Sequence, residues 1–351
     1  MDNFNLRYFE PVKYQKVVNN DISQCLTCEH KCKINKNKTG KCQTRINING
    51  TIFTFVYGLI PALSYNHIEK KPLFHFYPGS KAITIGTYGC NFNCFWCQNH
   101  HLSHPNELPI DLAQESTQYF TADEIINLAL NNNCQGTSIS FNEPTLLFEY
   151  SLEIFKLAKK NGLYNTYVTN GYMTEEVLKD LVEHGLDAMN IDIKGNNAMV
   201  KQYCGINNEH VWKIAKLAKD LGAHVEITTL LIEGFNTDYE TIKEISGNIL
   251  TKLDKSVPLH LTRAFPQFKS LEYGFIHPTP ISSLKTGYKI AKDIGLDYVY
   301  LGNLSSSKYE NTYCPKCQNL LIKRFDYKIT KSGLNKEGKC NVCGFQAIKF
   351  L

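Results

Sequence analysis

The sequence predicts an α/β fold whose centre is a partial (βα)6-type barrel, with small cysteine-rich segments at both ends. From residue 81 onward, short apolar runs rich in β-branched residues alternate with stretches of helical periodicity. Such alternation is typical of a parallel sheet with right-handed crossovers. The run is too short for a complete eight-fold barrel, so a partial, open barrel is expected. A doubly wound sheet remains the alternative, because periodicity does not separate the two.

The predicted elements follow one another at regular intervals. Strands are expected at residues 82–87, 137–141, 164–168, 188–193, 224–231, 258–262 and 298–301. Helices are expected at residues 121–131, 145–161, 174–184, 210–221, 237–253 and 281–294. The first helix has a defined start, since Thr121 followed by Glu124 forms a capping-box pattern. The chain is accordingly divided into an N-terminal segment (1–80), the barrel (81–305) and a C-terminal module (306–351).

Composition narrows the class of protein. Of the 351 residues, 43% are hydrophobic, and the formal net charge is +5 with scattered lysines. The scattered lysines indicate a solvated surface, and so mild a net charge does not favour a nucleic-acid partner. The sequence has neither an apolar run of about 20 residues nor the pattern of a signal peptide, so we expect no membrane association and a cytoplasmic location. Thiols stay reduced there, so 13 cysteines point to metal binding.

Eleven of the cysteines fall into three groups. The groups are Cys25, Cys28, Cys32 and Cys42; Cys90, Cys94 and Cys97; and Cys314, Cys317, Cys340 and Cys343. Cys134 and Cys204 stand alone and are expected to be small half-buried residues.

The middle group spells C-x3-C-x2-C directly after the first barrel strand. Thiolates are the usual ligands of a [4Fe–4S] cluster, and three of them leave one iron without a protein ligand. An open coordination position of this kind can bind a substrate or cofactor, here the methionine part of S-adenosylmethionine (SAM). The alternative is a zinc site completed by His100 or His101.

Polar residues recur just after the predicted strands, where the chemistry of α/β sheets collects. Besides the cysteine motif they are Asn142, Glu143, Thr169, Asn170, Asp192, Lys194 and Arg263. Any one of them could be an ordinary helix cap, but their recurrence at one rim indicates a shared site. Arg263 and Phe265 are hypothesised to face substrate on the same argument.

These segments together resemble the radical SAM superfamily. Within it, the chain is similar to the pyruvate formate-lyase activating enzyme branch and most closely to the radical SAM enzyme family of the AmmeMemoRadiSam system. The resemblance is carried by CLTCEHKCKI near the start, IEKKPLFHFYPGS at 68–80, GTYGCNFNCFWCQNH at 86–100, SISFNEPT at 138–145, YVTNGY at 167–172, YVYLGN at 298–303 and the ending YCPKC…CNVCG. It covers nearly the whole chain and implies a radical SAM partial barrel.

The resemblance also implies roles by position. Trp96 and Gln98 would contact SAM, and Asn142-Glu143-Pro144 stands where such enzymes place a Gly-Gly-Glu-Pro turn that receives the SAM amino group. This chain has Phe141 and Asn142 in place of the two glycines of that turn, which puts the detail of the contact in question. Asp192 and Lys194 would face the SAM ribose and carboxylate, and His260 the adenosyl part. Thr169 and Asn170 join this cofactor-binding set.

The outer cysteine groups suggest further metals. Cys314-x2-Cys317 and Cys340-x2-Cys343 have zinc-ribbon spacing, with a rubredoxin-like iron as the alternative. The N-terminal four, with His30 among them, could hold a second iron–sulfur cluster that relays electrons or a zinc ion, and four free thiols are the remaining alternative. His67, Glu69, Lys70, Lys71 and His75 form a polar stretch that either packs over the barrel mouth or touches substrate.

The cysteine motif and the resemblance together predict the function. A radical SAM enzyme would cleave SAM to a 5′-deoxyadenosyl radical and abstract hydrogen from an unidentified substrate, with a flavodoxin- or ferredoxin-type electron donor and companion proteins of the AmmeMemoRadiSam system as partners. A glycyl-radical-enzyme activase is an alternative, although residues 98–133 lack the cysteines such activases often carry. A non-catalytic metal-binding or nucleic-acid adaptor, with Lys323, Arg324 and Lys328 on its ribbon, is the alternative from another class.

Overall fold

The computed structural model describes residues 6–104, 118–304, 308–325 and 328–351. Their contacts divide the chain into two compact units. The described residues of the first unit fall within Met1–Asn66, Lys81–Asp187 and Asp220–Ala223, and those of the second within His67–Ser80, Ala188–Lys219 and His224–Leu351. The division of the sequence into an N-terminal segment, a barrel and a C-terminal module stays a prediction.

The first unit begins with short strands that the sequence pattern did not resolve. They are β1 (Glu10–Pro11), β2 (Gln15–Val17), β3 (Ile22–Cys25), β4 (Lys33–Asn35), β5 (Arg45–Ile48) and β6 (Thr51–Thr54). Two three-stranded sheets result, with the orders β1-β6-β5 and β2-β3-β4. Asn49 and Gly50 both have positive φ, 50° and 91°, as a two-residue hairpin turn requires.

The remaining strands of this unit are β7 (Ala62–His67), β8 (Lys81–Gly86), β9 (Gly136–Ile139) and β10 (Tyr164–Thr169), in the order β10-β9-β8-β7. β9 pairs in parallel with both β8 and β10. The helices are α1 (His100–Ser103), α2 (Ala122–Asn131), α3 (Phe148–Lys160) and α4 (Glu175–Glu183). The carboxyl ends of parallel strands meet at one edge of a sheet, which brings the segments after β8, β9 and β10 together.

Two helix starts show how the sequence sets these boundaries. Thr121 caps α2, because its Oγ1 accepts a hydrogen bond from Glu124 N (3.2 Å) while Glu124 Oε2 accepts one from Thr121 N (2.8 Å). The predicted capping box is confirmed. The helix expected from residue 145 instead begins as a 3-10 turn, Pro144–Leu147, capped by the Glu143 side chain, and becomes α-helical at Phe148.

The second unit contains β11 (Ala188–Asp192), β12 (His224–Leu231), β13 (Leu259–Arg263) and β14 (Val299–Gly302), in the order β14-β13-β12-β11. Neighbouring strands pair in parallel. Its helices are α5 (Asn197–Tyr203), α6 (Asn208–Asp220), α7 (Tyr239–Asn248) and α8 (Ile281–Ile294). The sequence pattern missed α5, which is short and begins at the Asn196 cap. It also made the helix of α7 too long, since a π-helical turn occupies Ile249–Leu253.

A small antiparallel sheet completes the second unit, with β15 (Thr312–Tyr313), β16 (Leu320–Phe325) and β17 (Lys328–Thr330). Cys314, Leu321, Ile322, Leu334, Cys340 and Ile348 form its buried cluster. Strands and helices alternate in both units around parallel sheet, so the α/β prediction is confirmed. Within the described ranges, no helix is long and apolar enough to cross a membrane.

Candidate functional site

The three-cysteine loop follows the carboxyl end of β8. Cys94 is buried, whereas Cys90 and Cys97 are half-buried. A turn closes the loop, in which Cys97 N donates to Cys94 O (3.2 Å), and Phe92 N donates to Cys90 Sγ (3.4 Å). Burial of the thiol raises the pKa of Cys90 well above its usual value.

Asn142 holds the chain that leads into this loop. Its Oδ1 accepts a hydrogen bond from Thr87 N (3.1 Å), and its Nδ2 donates one to Gly89 O (2.8 Å). The side chain therefore pairs with the backbone on both sides of Tyr88, just before Cys90. This bracing was not foreseen, since the sequence suggested a cofactor contact at Asn142.

Phe141, immediately before it, has φ of 73°, in the region that favours glycine. Phe141 therefore adopts a backbone conformation typical of glycine, at the position where the family that the chain resembles has glycine. A non-glycine residue with positive φ is strained, and such strain concentrates at functional sites.

Glu143 is buried, and its carboxylate is surrounded by donors. Thr145 donates through N (3.1 Å) and Oγ1 (2.5 Å), Thr169 through Oγ1 (2.7 Å) and Asn170 through N (2.8 Å). Burial raises the pKa of Glu143, while these hydrogen bonds act in the opposite direction. The carboxylate thus joins the turn after β9 to the end of β10.

Asn170 extends this network to the cysteine loop. Its Nδ2 donates to Asn91 Oδ1 (2.7 Å), and its Oδ1 accepts from Tyr172 N (3.0 Å). Asn91, which the sequence analysis did not single out, lies next to Cys90 and is almost completely buried. Its Nδ2 has no hydrogen-bond partner in the part of the chain that the structure describes. Its place inside the cysteine motif was the available signal, because polar groups beside metal ligands orient them.

Two further predicted contacts lie at the end of the loop. Trp96 is buried and packs edge-on against Phe95, with ring centroids 4.6 Å apart. Gln98 Nε2 donates to Trp96 O (3.2 Å). Both side chains are thereby held against the segment that carries Cys97.

The predicted residues of the second unit lie on or just after β11 and β13. Asp192 and Lys194, after β11, make an ion pair with Lys194 Nζ 3.2 Å from Asp192 Oδ2, and both remain partly exposed. Lys194 O also accepts a hydrogen bond from Asn236 Nδ2 (2.9 Å). Arg263 Nε donates to Thr279 O (2.8 Å), and its guanidinium lies 5.1 Å from the Phe265 ring centroid.

His260 lies in a buried polar cluster on β12 and β13. Its Nε2 is 2.6 Å from Glu226 Oε2, and His224 Nε2 is 2.9 Å from Glu226 Oε1. Burial alone would raise the pKa of Glu226, but these two histidines hold it well below its usual range. Glu226 also accepts hydrogen bonds from the backbone N of Phe74 and of His75, which anchors the 67–80 segment.

The polar stretch at 67–75 is mostly buried. Glu69 accepts a hydrogen bond from Gly79 N (2.8 Å), and burial raises its pKa. Burial lowers the pKa of Lys71 to about 7. His75 Nε2 lies 2.6 Å from Tyr300 Oη, and burial lowers the pKa of His75 to about 3. Packing within the second unit therefore accounts for the burial of much of this polar stretch.

The C-terminal cysteines gather around one point. The Sγ atoms of Cys314 and Cys343 are 3.5 Å apart, those of Cys317 and Cys340 are 3.6 Å apart, and all four lie within 4.8 Å of one another. A tetrahedral ion with metal–sulfur bonds of about 2.3 Å has sulfurs about 3.8 Å apart. This quartet therefore has the geometry of a mononuclear metal site.

The other two groups are arranged differently. Among the described residues, neither the triad with His100 and His101 nor the N-terminal four brings three ligand atoms within 4.8 Å of one another. The residues do fit an iron–sulfur cluster, because a tight loop supplies three thiols, the N–H of Phe92 points at a sulfur, and the amide of Asn91 offers a further donor.

Comparisons with known proteins match a family profile to part of the chain and a relative to nearly all of it. The profile of the radical SAM superfamily matches residues 84–245. A protein of Methanocaldococcus jannaschii named only as uncharacterized is 38% identical over 338 residues, which is 95% of this chain and 97% of that protein.

Two relatives with functional names match a shorter part of the chain. A putative glycyl-radical enzyme activating enzyme of Methanocaldococcus jannaschii is 32% identical over 48% of this chain and 62% of its own length. The pyruvate formate-lyase 1-activating enzyme of Escherichia coli K12 is 26% identical over 46% of this chain and 65% of its own length. This chain thus spans about two thirds of each of these two proteins.

Proposed function

Because the chain belongs to the radical SAM superfamily, in the branch that includes the pyruvate formate-lyase activating enzymes, we propose that it is an enzyme that cleaves SAM reductively at a [4Fe–4S] cluster held by Cys90, Cys94 and Cys97. With the cluster and SAM bound, one electron would cleave SAM to a 5′-deoxyadenosyl radical, which abstracts hydrogen from a substrate still to be identified. A flavodoxin- or ferredoxin-type protein is the proposed electron donor.

The observation that carries the proposal is the construction of the loop. Three cysteines follow one strand end, and Asn142 braces the backbone that leads into them. Glu143 and Asn170 fix the neighbouring turns, and Asn170 reaches Asn91 beside Cys90. A loop that supplies only three thiolates suits a cluster with one open iron.

Individual contacts with SAM are proposed from the resemblance. In the first unit these are Trp96, Gln98, Asn142, Glu143, Thr169 and Asn170. Since the Glu143 carboxylate is taken up by four donors, its role is best described as positioning of the turn whose backbone would receive the SAM amino group. In the second unit, Asp192, Lys194 and His260 are proposed to contact the ribose, carboxylate and adenosyl parts.

The metal at the C-terminal cysteines, the cellular location and the partner proteins are proposed on fewer observations. The C-terminal quartet is proposed to bind zinc, which its sulfur spacing supports, although iron would satisfy the same geometry. A cytoplasmic location is proposed because the 13 cysteines fall mostly into groups with metal-ligand spacing, and thiols of this kind stay reduced there. Companion proteins of the AmmeMemoRadiSam type are proposed partners from the resemblance alone.

A second candidate concerns the substrate. Two of the relatives carry the names of activating enzymes, one of them for glycyl-radical enzymes, so abstraction of hydrogen from a glycine of a large partner protein is the competing proposal. The adaptor hypothesis is set aside, since the superfamily consists of enzymes.

The test is an anaerobic assay for 5′-deoxyadenosine. Protein reconstituted with iron and sulfide is reduced and given SAM, alongside a Cys94→Ala variant. A Cys204→Ala variant is the matched control, because Cys204 is buried and outside the three groups. We expect product from the wild type and from the control, and none from Cys94→Ala. Product formation that survives Cys94→Ala would refute the proposed site.

A further inference from the structure

The N-terminal cysteines, which the proposed function does not use, enclose a cavity. Cys25, Cys28, Cys32 and Cys42 line it together with His30 and Asn91. Tight turns shape the segment, with Lys31 N bonded to Cys28 O (3.0 Å) and Cys25 N bonded to Cys32 O (3.0 Å). The four cysteines thus line one cavity.

The spacing of these sulfurs differs from that of a mononuclear site. In the C-terminal quartet all four sulfurs lie within 4.8 Å of one another, whereas no three of the N-terminal sulfurs do so within the described chain. A single tetrahedral ion needs the closer spacing, because its bonds to sulfur are about 2.3 Å long. Four sulfurs that line one cavity without this closer spacing are compatible with a polynuclear cluster, which is held at its corners.

The surroundings suit an anionic iron–sulfur group. Thr44 Oγ1 donates to Cys42 Sγ (3.3 Å), and Thr27 Oγ1 lies 3.5 Å from Cys25 Sγ. Hydrogen bonds to cluster sulfurs are one of the ways in which a protein sets the cluster potential. Lys41 and the buried Arg45 also line the cavity and bring positive charge to it.

This cavity lies against the loop of the triad. Gly89 has φ of 83°, and a Cβ added to it would lie 2.6 Å from Cys42 O and 2.5 Å from Thr44 Cγ2. On the other side of Cys90, Asn91 O lies 2.8 Å from His30 Nε2. The two residues that flank Cys90 therefore both contact the N-terminal cysteine segment.

We propose that Cys25, Cys28, Cys32 and Cys42 hold a second [4Fe–4S] cluster, which passes electrons to the cluster on Cys90, Cys94 and Cys97. The relay rests on the proposed function, but the second cluster does not. Four thiolates leave no open iron, so this cluster suits electron transfer rather than SAM binding. A low-potential one-electron donor of the flavodoxin or ferredoxin type reduces it by one electron, and it is reoxidised when the same electron reduces the catalytic cluster.

Acid-labile sulfide measures the cluster directly, since a mononuclear zinc or iron site contains none. The full-length protein is purified anaerobically without reconstitution and assayed for sulfide, iron and zinc. We expect about eight sulfides per chain for two cubanes and about four in a variant with Cys90, Cys94 and Cys97 all changed to Ala. Cys134→Ser, which alters a buried cysteine outside the groups, should match the wild type.

The alternative outcomes separate the two proposals. About four sulfides in the wild type and none in the triad variant, with a second zinc ion, would overturn the second cluster and leave the proposed function intact. About four in both proteins would place the only cluster on the N-terminal cysteines and overturn the proposed function and the relay.

The relay is tested by the source of electrons. A Cys28→Ala/Cys32→Ala variant should lose most of its 5′-deoxyadenosine formation with reduced flavodoxin and retain it with titanium(III) citrate, which reduces the catalytic cluster without a protein donor. Retained activity with the small reductant also shows that the variant is folded. Equal activity of variant and wild type with flavodoxin would refute the relay.

Discussion

At the scale of single residues, the Glu143 carboxylate links two strand-end turns beside the proposed cofactor site. It is buried and accepts hydrogen bonds from Thr145, Thr169 and Asn170. Removing an acceptor from such a cluster leaves buried donors without partners, which costs about 1–3 kcal/mol. The geometry of two strand-end turns thus depends on one side chain.

Glu143→Gln is the corresponding test. Glutamine keeps the shape but replaces one acceptor oxygen by an amide that faces donors. We expect the free energy of unfolding to fall by about 1–3 kcal/mol and SAM to bind more weakly. Denaturant unfolding and SAM titration would measure both. Glu176→Gln, at an exposed position at the start of α4, should change neither. A variant that is as stable as the wild type would contradict the positioning role.

The lowered pKa of His75 predicts that the stability of the folded protein depends on pH. Burial lowers its pKa to about 3, so the folded protein keeps it neutral where the unfolded chain, with a pKa of about 6.5, takes up a proton. Stability must then fall as the pH drops below about 6.5. His75→Gln, which can still bond to Tyr300, should remove about 1.4 kcal/mol of the loss between pH 7.5 and 5.5. Identical pH profiles of variant and wild type in urea unfolding would refute this assignment.

The residue roles were the hardest part to predict from sequence. Cys90, Cys94 and Cys97 can be recognised from their spacing, since metal ligands in one loop must be close in sequence. Asn91 and Asn142 do not, because their roles depend on which backbone groups the fold places beside them. His260 was singled out for a cofactor, and its bond to Glu226 joins residues on two different strands.

At the scale of elements, a buried ion pair links β5 to α3. Arg45 donates to both carboxylate oxygens of Glu149, at 3.1 and 3.0 Å, and both side chains are almost completely buried. Burial alone would lower the pKa of Arg45, but Glu149 and the nearby Cys25 and Cys42 raise it. The guanidinium therefore stays charged, and removal of its partner would leave an uncompensated buried charge.

Glu149→Ala should destabilise the protein by about 3–5 kcal/mol, the usual cost of breaking a buried pair. The exposed pair of Lys252 and Glu209 offers a control, since Glu209→Ala should cost no more than about 1 kcal/mol. Urea unfolding monitors both. Equal destabilisation by the two substitutions would show that burial of the Arg45 pair has no energetic consequence.

The C-terminal module is expected to depend on its metal. Its buried cluster is small and includes Cys314 and Cys340 themselves, so little apolar core remains without the ion. We expect about one zinc per chain, lost in Cys317→Ser together with resistance of residues 308–351 to proteolysis. Metal analysis and limited proteolysis would measure this, with Cys204→Ser as control. Iron in place of zinc would correct the metal, and full protease resistance of the metal-free variant would contradict the dependence.

Long, regular elements were predictable, and short ones were not. The barrel strands and α2 follow from hydrophobic period and capping, which are local properties. The strands β1 to β6 have two to four residues each, too few to show a period, and α5 is a short helix after an asparagine cap. Their formation depends on tertiary pairing, as in the hairpin of β5 and β6.

At the scale of the whole molecule, the three cysteine groups divide between the two units. The triad and the N-terminal four belong to the first unit, and the C-terminal quartet belongs to the second. The sequence supplied the groups and the family resemblance, whereas the contact between the first two groups through Gly89 and His30 emerges only in the folded chain. That contact is what turns an ambiguous cysteine pattern into a specific electron-transfer hypothesis.

We expect SAM to bind the open iron of a cluster on Cys90, Cys94 and Cys97. Electron–nuclear double resonance on the reduced, anaerobic protein with SAM labelled at its amino nitrogen tests this directly. We predict a coupling between the label and the cluster that appears with SAM and is absent when Cys94 is changed to Ala. A reduced cluster whose spectrum does not respond to SAM would contradict the account.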